Sequence, residues 1–319
     1  MQVGQEKIVV LGTGGTIAGT SNQPGQHLAY TSAQLSVAQL VQTVAPAADL
    51  HMETEQVAQV DSKDMDEAVW QRLAARCAHW LAQPEVRGLV ITHGTDTLEE
   101  TAFFLDRVLA PAKPVVLTCA MRPADAVTPD GPQNLLDAIA VAATPGLQGV
   151  VAVCAGTVHA ARDVAKEHPY RLDAFTSGEA GPLGVVEEGR LRTLRPSPVP
   201  TPAATASRYA QAVARATRWP RVEIVLNHAA AGGALVQAVV AQGVDGLVAA
   251  GTGNGTLSAP LEAALLQARA QGVAVVRATR CARGQVLAHG GDLLPDSGGL
   301  SPVKARVALM LDLLVAVAP

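Results

Sequence analysis

Aromatic side chains are nearly missing from this chain. Phe, Tyr and Trp number three each in 319 residues, 3% in all. A nucleic-acid surface built on base stacking needs aromatic platforms, so that class of partner is excluded. The 24 basic residues form no run and the net charge is -4, which also removes the footprint of a polyanion binder. No apolar run approaches the ~18 residues of a membrane span. The N-terminal stretch MQVGQEKIVVLGTGG has one short apolar run, Ile8–Leu11, too short for the core of a secretory signal, and a cytoplasmic location is the expectation. Cysteine is scarce as well. Cys77, Cys119, Cys154 and Cys281 stand far apart with no CxxC pair, and read as buried thiols rather than a disulfide or zinc framework. The eight His residues show no HExxH and no pair at ligand spacing. No metal and no cofactor is expected.

What the chain has in quantity is small apolar residues. It is 49% hydrophobic, mostly Ala, Val and Leu, and 16% charged, which excludes intrinsic disorder. Short apolar runs (Ile8–Leu11, Leu89–Thr92, Pro114–Cys119, Val150–Cys154, Val222–Leu226, Leu247–Ala250, Val273–Val276) alternate with segments of helical period. The helices are expected at Ser32–Val44, Asp64–Ala82, Leu98–Leu109, Gln133–Ala143, Ala234–Gln242, Ala259–Gln271 and Pro302–Val317. This alternation predicts an α/β fold with mainly parallel sheets, in which ligands bind beyond the carboxyl ends of the strands. The length fits two domains of ~100–200 residues each. Four prolines fall within LRPSPVPTPAATAS, where neither helix nor central strand can continue. The division expected is a larger N-terminal α/β domain over 1–190, a Pro-rich linker over 191–210 and a smaller α/β domain over 211–319.

Four strand ends carry groups suited to chemistry. GTGGTIAG, Gly12 to Gly19, follows the first apolar run, and glycine permits a tight turn with close approach of backbone to ligand. A dinucleotide fingerprint begun at Gly12 would need glycine where Ile17 stands, and none of the five lysines follows a glycine as a P-loop requires. What remains is a Gly loop presenting Thr13 and Thr16. A threonine hydroxyl is a weak nucleophile until a base takes its proton; Thr16 is also readable as a turn or cap residue. HGTDT, His93 to Thr97, is a strand-to-helix turn that puts Thr95 and Asp96 at the carboxyl edge. The N–H groups of the following helix can hold an anion such as a substrate carboxylate. Asp96 or Thr97 can equally serve as the N-cap, and His93 reads as a packed residue. In ARDVAKEH, Ala161 to His168, Lys166 is a candidate general base near Asp163, or part of a solvated charged turn. AGTGNGT, Ala250 to Thr256, offers the Asn254 amide, or is only a Gly-rich turn. No GxSxG elbow exists. Together such groups suit an amino-acid zwitterion and attack on an amide. Carboxylates would take the amino group, and N–H groups and hydroxyls the carboxylate.

GTGGTIAG, VDSKDMDE, ITHGTDTLEETAFFLD, CAMRP with DGPQNL, RDVAKEH, AGTGNGT and SPVKARVAL, in this order, resemble the bacterial L-asparaginase (asparaginase/glutaminase) family from Lys7 to about Val317, closer to its type II subgroup. The resemblance implies hydrolysis of L-asparagine to L-aspartate and ammonia, with L-glutamine or D-asparagine as wider substrates. It implies a homotetramer of intimate dimers with each site at a dimer interface. By motif match Thr16 is the nucleophile that forms an acyl-enzyme, and Tyr30 on a mobile lid orients it. Thr95 and Lys166 form a second set, Asp96 holds the α-amino group, and Ser62, beside Asp61, grips the α-carboxylate. Ala120 offers its carbonyl to the amide nitrogen, and Asn254 reaches across from the neighbouring subunit. An amide is a poor electrophile, so an oxyanion hole is needed, and the N–H groups of Gly15 or Thr95 are candidates. Gly19 and Gly25 with TSNQP between them suit the lid. Two departures stand out. Asp61-Ser62-Lys63 replaces a common Gly-Ser-Gln, and no acidic residue lies between Arg280 and Gly291, where relatives often supply a Glu; Asp292 follows late.

Overall fold

Ile8 to Leu11, Leu89 to Ile91 and Val115 to Leu117 are buried on both faces, as strands in the middle of a covered parallel sheet must be. The computed structural model describes residues 6–317 apart from 22, 24–26 and 45–49. The chain divides into two units, 1–206 and 207–319. The first runs β1 (Lys7–Gly14), β2 (Thr20–Ser21), β3 (Tyr30–Thr31), α1 (Val37–Gln42), β4 (His51–Val60), α2 (Glu67–Leu81), β5 (Val86–Thr92), α3 (Leu98–Leu109), β6 (Pro114–Thr118), α4 (Gly131–Ala142), β7 (Gly149–Cys154), β8 (Thr157–Ala160), β9 (Ala165–Lys166), β10 (Phe175–Thr176), β11 (Gly184–Glu187) and β12 (Arg190–Thr193).

Eight of these strands form one sheet in the order β12-β11-β8-β7-β6-β5-β1-β4. From β4 to β7 every pairing is parallel; β8, β11 and β12 join antiparallel. On one face Ile8, Val10, Val90 and Val116 pack with Val37 and Leu40 of α1 and Leu135 and Ile139 of α4. Each fully buried side chain of this size contributes ~1.5–3 kcal/mol. Elsewhere in this unit α2 and α3 meet through Trp70 stacked on Phe104, with ring centroids 4.8 Å apart. The chain passes from β1 out to β4, then returns to β5 on the other side of β1. Such a reversal opens a crevice beyond the carboxyl ends of the strands it separates. The turns that follow β1 and β5 are GTGGT and HGTDT.

The second unit has a three-stranded parallel sheet, β13 (Val222–Leu226), β14 (Gly246–Gly251) and β15 (Ala274–Thr279), in that order. Its helices are α5 (Ala203–Arg215), whose first residues belong to the first unit, α6 (Ala234–Ala241), α7 (Ala259–Ala270) and α8 (Pro302–Val317). Leu247, Leu261 and Leu265 form its core.

Where pattern and structure differ, local chemistry explains it. Helix α1 begins at Val37, not Ser32, because Ser36 closes a capping box with Gln39. Helix α2 starts after Asp66, which accepts the Val69 N–H at 2.8 Å. Within 191–210, expected to be a linker, the irregular stretch is 194–202: β12 runs to Thr193, and α5 begins at Ala203, directly past the last proline, on an alanine-rich run. Of the thiols read as buried, Cys281 is exposed.

Candidate active site

Gly14 and Gly15, at φ +105° and +82°, turn the chain sharply out of β1. They deliver Thr16 to a short 3-10 turn, Thr16–Ala18, in which it is buried. The Thr16 Oγ1 lies 2.7 Å from the Tyr30 phenol oxygen. Tyr30 is on β3, paired with Ser21 of β2. The Asp125 carboxylate accepts the Ser21 N–H through both oxygens, at 2.9 and 2.8 Å. Of the expected lid, Gly25 and residues 22 and 24 lie outside the described residues. The Gly15 N–H donates to the Val60 carbonyl at 2.9 Å. It is thereby committed to holding the turn against β4, which removes it as an oxyanion donor. The Thr95 N–H has no such acceptor among the described residues.

Gly15 packs directly on Gly94: a Cβ at Gly15 would collide with the Gly94 backbone. That contact draws the turns after β1 and β5 together. Thr95 is buried, and its Oγ1 accepts from Lys166 Nζ at 2.8 Å. The same ammonium donates to Asp96 Oδ1 at 2.6 Å. The Lys166 side chain is 16% exposed and that of Asp96 53%, so the carboxylate keeps an open side for a ligand. The Lys166 N–H donates to Glu99 Oε1 at 3.1 Å, which ties β9 to the first turn of α3. Helix α3 has no side-chain cap. The two candidate caps act elsewhere: Asp96 holds Lys166, and the Thr97 hydroxyl donates to the Ser62 carbonyl at 2.7 Å.

Ser62 is buried in a 3-10 turn, Ser62–Asp64, with its Oγ accepting the Asp96 N–H at 3.2 Å. Gly94 is required here too, because a Cβ would overlap the Ser62 Oγ. Asp61 caps this turn. Lys63 Nζ is 3.7 Å from Asp61 and bonded to Asp64, so its charge is engaged by two carboxylates. Ala120 is fully buried, and DGPQNL explains its setting. Asp130 accepts the Met121 and Arg122 N–H groups at 2.9 Å each, and the Asn134 amide donates to the Cys119 carbonyl at 2.9 Å. The Asn134 Oδ1 in turn accepts the Ala155 N–H at 3.0 Å. Cys119 and Cys154, 35 residues apart in sequence, have thiols 3.1 Å apart; this contact and burial push the Cys119 thiol up and leave it inert as a nucleophile.

The other candidates divide. His93 is wholly buried, and burial pushes it down to about 4 against a raising bond to Gly94. Its Nδ1 is 2.7 Å from the Gly94 carbonyl, so Nδ1 carries the proton of a neutral ring. Asp163 does not join Lys166 but binds Arg195. Thr13 donates to the Thr92 carbonyl at 2.9 Å. Asn254, in the second unit, exchanges both amide bonds with the Leu287 backbone, at 2.9 and 2.7 Å. Asp292 pairs with Arg277 at 2.6 Å. The His289 N–H and Arg277 hold its carboxyl below the usual range. Sequence reasoning missed Glu99, Asp125, Asp130 and Asn134. Asp130 and Asn134 carried a local signal as part of DGPQNL, and Glu99 as part of ITHGTDTLEETAFFLD; Asp125 carried none.

The geometry offers two hydroxyls on adjoining turns. One sits beside a phenol and one beside an ammonium, with an open carboxylate and a buried serine next to the second. Groups of these kinds suit a small zwitterion and acyl transfer. Residues 7–199 match the family model "Asparaginase, N-terminal", and residues 221–315 match "Glutaminase/Asparaginase C-terminal domain". The chain is 38% identical to L-asparaginase 2 of Escherichia coli over 315 residues, 96% of this chain and 88% of that protein. It is 33% identical to the glutaminase-asparaginase of Pseudomonas fluorescens, over 96% of this chain and 86% of that one. A crystal structure of a probable cytoplasmic L-asparaginase from Campylobacter jejuni superposes with a TM-score of 0.89 at 34% identity, covering 97% of this chain and 95% of that one.

Proposed function

Because this chain belongs to the asparaginase family of hydrolases, we propose that it splits L-asparagine into L-aspartate and ammonia with Thr16 as nucleophile. The Thr16 Oγ attacks the side-chain amide carbon, ammonia leaves, and water releases aspartate from the acyl-enzyme. Tyr30 orients the Thr16 hydroxyl through its 2.7 Å contact. Lys166 donates to Thr95 and so aims the Thr95 proton toward the reacting group. The Thr95 N–H serves the developing oxyanion. The open side of Asp96 takes the substrate α-ammonium, Ser62 takes its α-carboxylate and Ala120 turns a carbonyl to the amide nitrogen. The observation that carries this reading is the Lys166–Thr95–Asp96 cluster packed beside the Thr16 turn through Gly15 and Gly94. Ammonia release from L-asparagine by the pure protein tests it. Binding without turnover, or full activity in Thr16→Val, overturns it.

The pairing of Asp292 with Arg277 supports Asp96 as the group for the α-ammonium. The Pseudomonas fluorescens likeness favours a second reading, in which L-glutamine is also a substrate; initial rates on L-asparagine, L-glutamine and D-asparagine decide between them. A homotetramer in the cytoplasm, with Asn254 contributed across a dimer interface, completes the proposal. The Campylobacter jejuni likeness supports the location. Light scattering tests the assembly, and cell fractionation tests the compartment.

A further inference from the structure

We propose that Asp61 is a positioning residue that latches the segment bearing Tyr30 to the turn bearing Ser62; this rests on the Thr16 reading above. Asp61 Oδ2 accepts from the Ser32 hydroxyl at 3.1 Å. Ser32 stands two residues after Tyr30. Through its other oxygen Asp61 accepts the Lys63 N–H at 3.4 Å and so caps the turn that begins at Ser62. One carboxylate thus bonds both segments.

The next residue shows that the attachment is under load. Ala33 has φ +57°, a conformation that L-residues with a Cβ rarely adopt and that persists only where neighbours hold it. Its N–H donates to the Gly15 carbonyl at 3.1 Å, and its carbonyl accepts from Gln59 Nε2 at 2.7 Å. Three bonds therefore fasten Ser32 and Ala33 to the residue before Thr16 and to the end of β4. Of the three, the Ser32–Asp61 bond alone reaches the turn of Ser62. Tyr30 is half-buried on a two-residue strand, with its ring against Gly19. The aim of its phenol at Thr16 is set by how firmly this root is tied. A glycine at 61 cannot make the bond, although its φ of -71° suits any residue.

The test is a set of kinetic variants assayed on L-asparagine: Ser32→Ala, Asp61→Ala, Asp61→Asn, Tyr30→Phe and the doubles. Ser32→Ala and Asp61→Ala are each expected to lower kcat five- to tenfold, and their double is no worse than either. Asp61→Asn recovers most of the loss, because its amide oxygen still accepts from Ser32. In a Tyr30→Phe background Asp61→Ala adds nothing, since the latch acts through that phenol. The proposal is overturned if Ser32→Ala behaves as wild type, if the two losses multiply, or if Asp61→Ala still lowers kcat in the Tyr30→Phe background. Thr16→Ala is run alongside. Wild-type turnover there overturns the nucleophile reading and the latch with it, whereas an inactive Thr16→Ala beside unaltered latch variants overturns the latch alone.

Discussion

Thr16 meets a phenol 14 residues later in the chain, on a two-residue strand paired, among the described residues, with β2 alone. Thr95 meets an ammonium 71 residues later, which is shared with Asp96 and rooted through Glu99 in α3. The first corner is uncharged and hangs from a peripheral ribbon. The second is charged, with Thr95 and Lys166 covered and Asp96 open, and is cross-tied to helix α3. A covered ammonium must be bonded to persist, and that bonding also fixes the neighbouring dipoles before substrate arrives. A neutral pair needs no such cage, so its geometry depends on whatever holds the ribbon. The two hydroxyls are chemically alike, but their support differs in kind.

Removing either hydroxyl is the harshest way to break the comparison. Thr16→Ala and Thr95→Ala are each expected to lower kcat/KM for L-asparagine by ~10³ or more, and the double variant is little worse than either, because groups serving one step are not additive. Ammonia release measures all three, and a double loss equal to the product of the singles shows that the corners serve separate steps. Next in size come the partners. Lys166→Met should cost ~10²-fold in kcat, and Tyr30→Phe ~10-fold, since the charged donor is the stronger orienter. The reverse order sinks the contrast drawn between the corners. Ser62→Ala is expected to raise KM ~10-fold with kcat nearly unchanged, the signature of lost ground-state binding. A fall in kcat of the same size instead places Ser62 in the transition state.

The mildest test leaves the sequence intact. His93 lies directly before the Thr95 turn and is buried neutral, pushed down to about 4 from the ordinary 6.5. The unfolded chain binds that proton more readily than the folded one between these values. Stability is therefore fully present above about pH 6.5 and is lost as pH falls toward 4, by up to about 3 kcal/mol. Urea midpoints between pH 5 and 6.5, where most carboxylates remain ionised, should fall with pH in the wild type and stay flatter in His93→Asn. Equal slopes in the two proteins exclude His93 as the source.

Much of the frame was legible in the sequence because its central strands are buried on both faces and read as apolar runs, most of them begun or ended by glycine. Strand β4 was not. It sits at the sheet edge, and HMETEQVAQV carries Glu53 and Glu55, whose partners Lys7, Arg76 and Trp80 come from elsewhere in the chain. The alternating polar side hides the strand from any search for apolar runs. Glycine punctuation likewise put Thr16, Thr95 and Asp96 at strand ends. Nothing local shows that Asp125 steadies Ser21 from 104 residues away, or that the Gly15 N–H is taken by Val60. Periodicity reports which face an element buries, and it is silent on which distant side chain will meet it. Helix α5 was hidden differently: a proline-rich run ends directly before a good helix-forming segment, and the prolines dominate the reading.

The stacked pair Trp70 and Phe104 carries a consequence for spectroscopy. The Trp70 indole N–H also donates to Thr101 Oγ1 at 2.9 Å, so its ring is fastened to α3 by both stacking and a hydrogen bond. That helix begins two residues after Asp96. Trp80 shares α2 with Trp70, and the one remaining tryptophan, Trp219, belongs to the second unit. Each unit therefore carries its own native fluorophore. A shift in the seating of α3 as the pocket fills changes Trp70 emission without any added label, and melting of the second unit is read at a single indole.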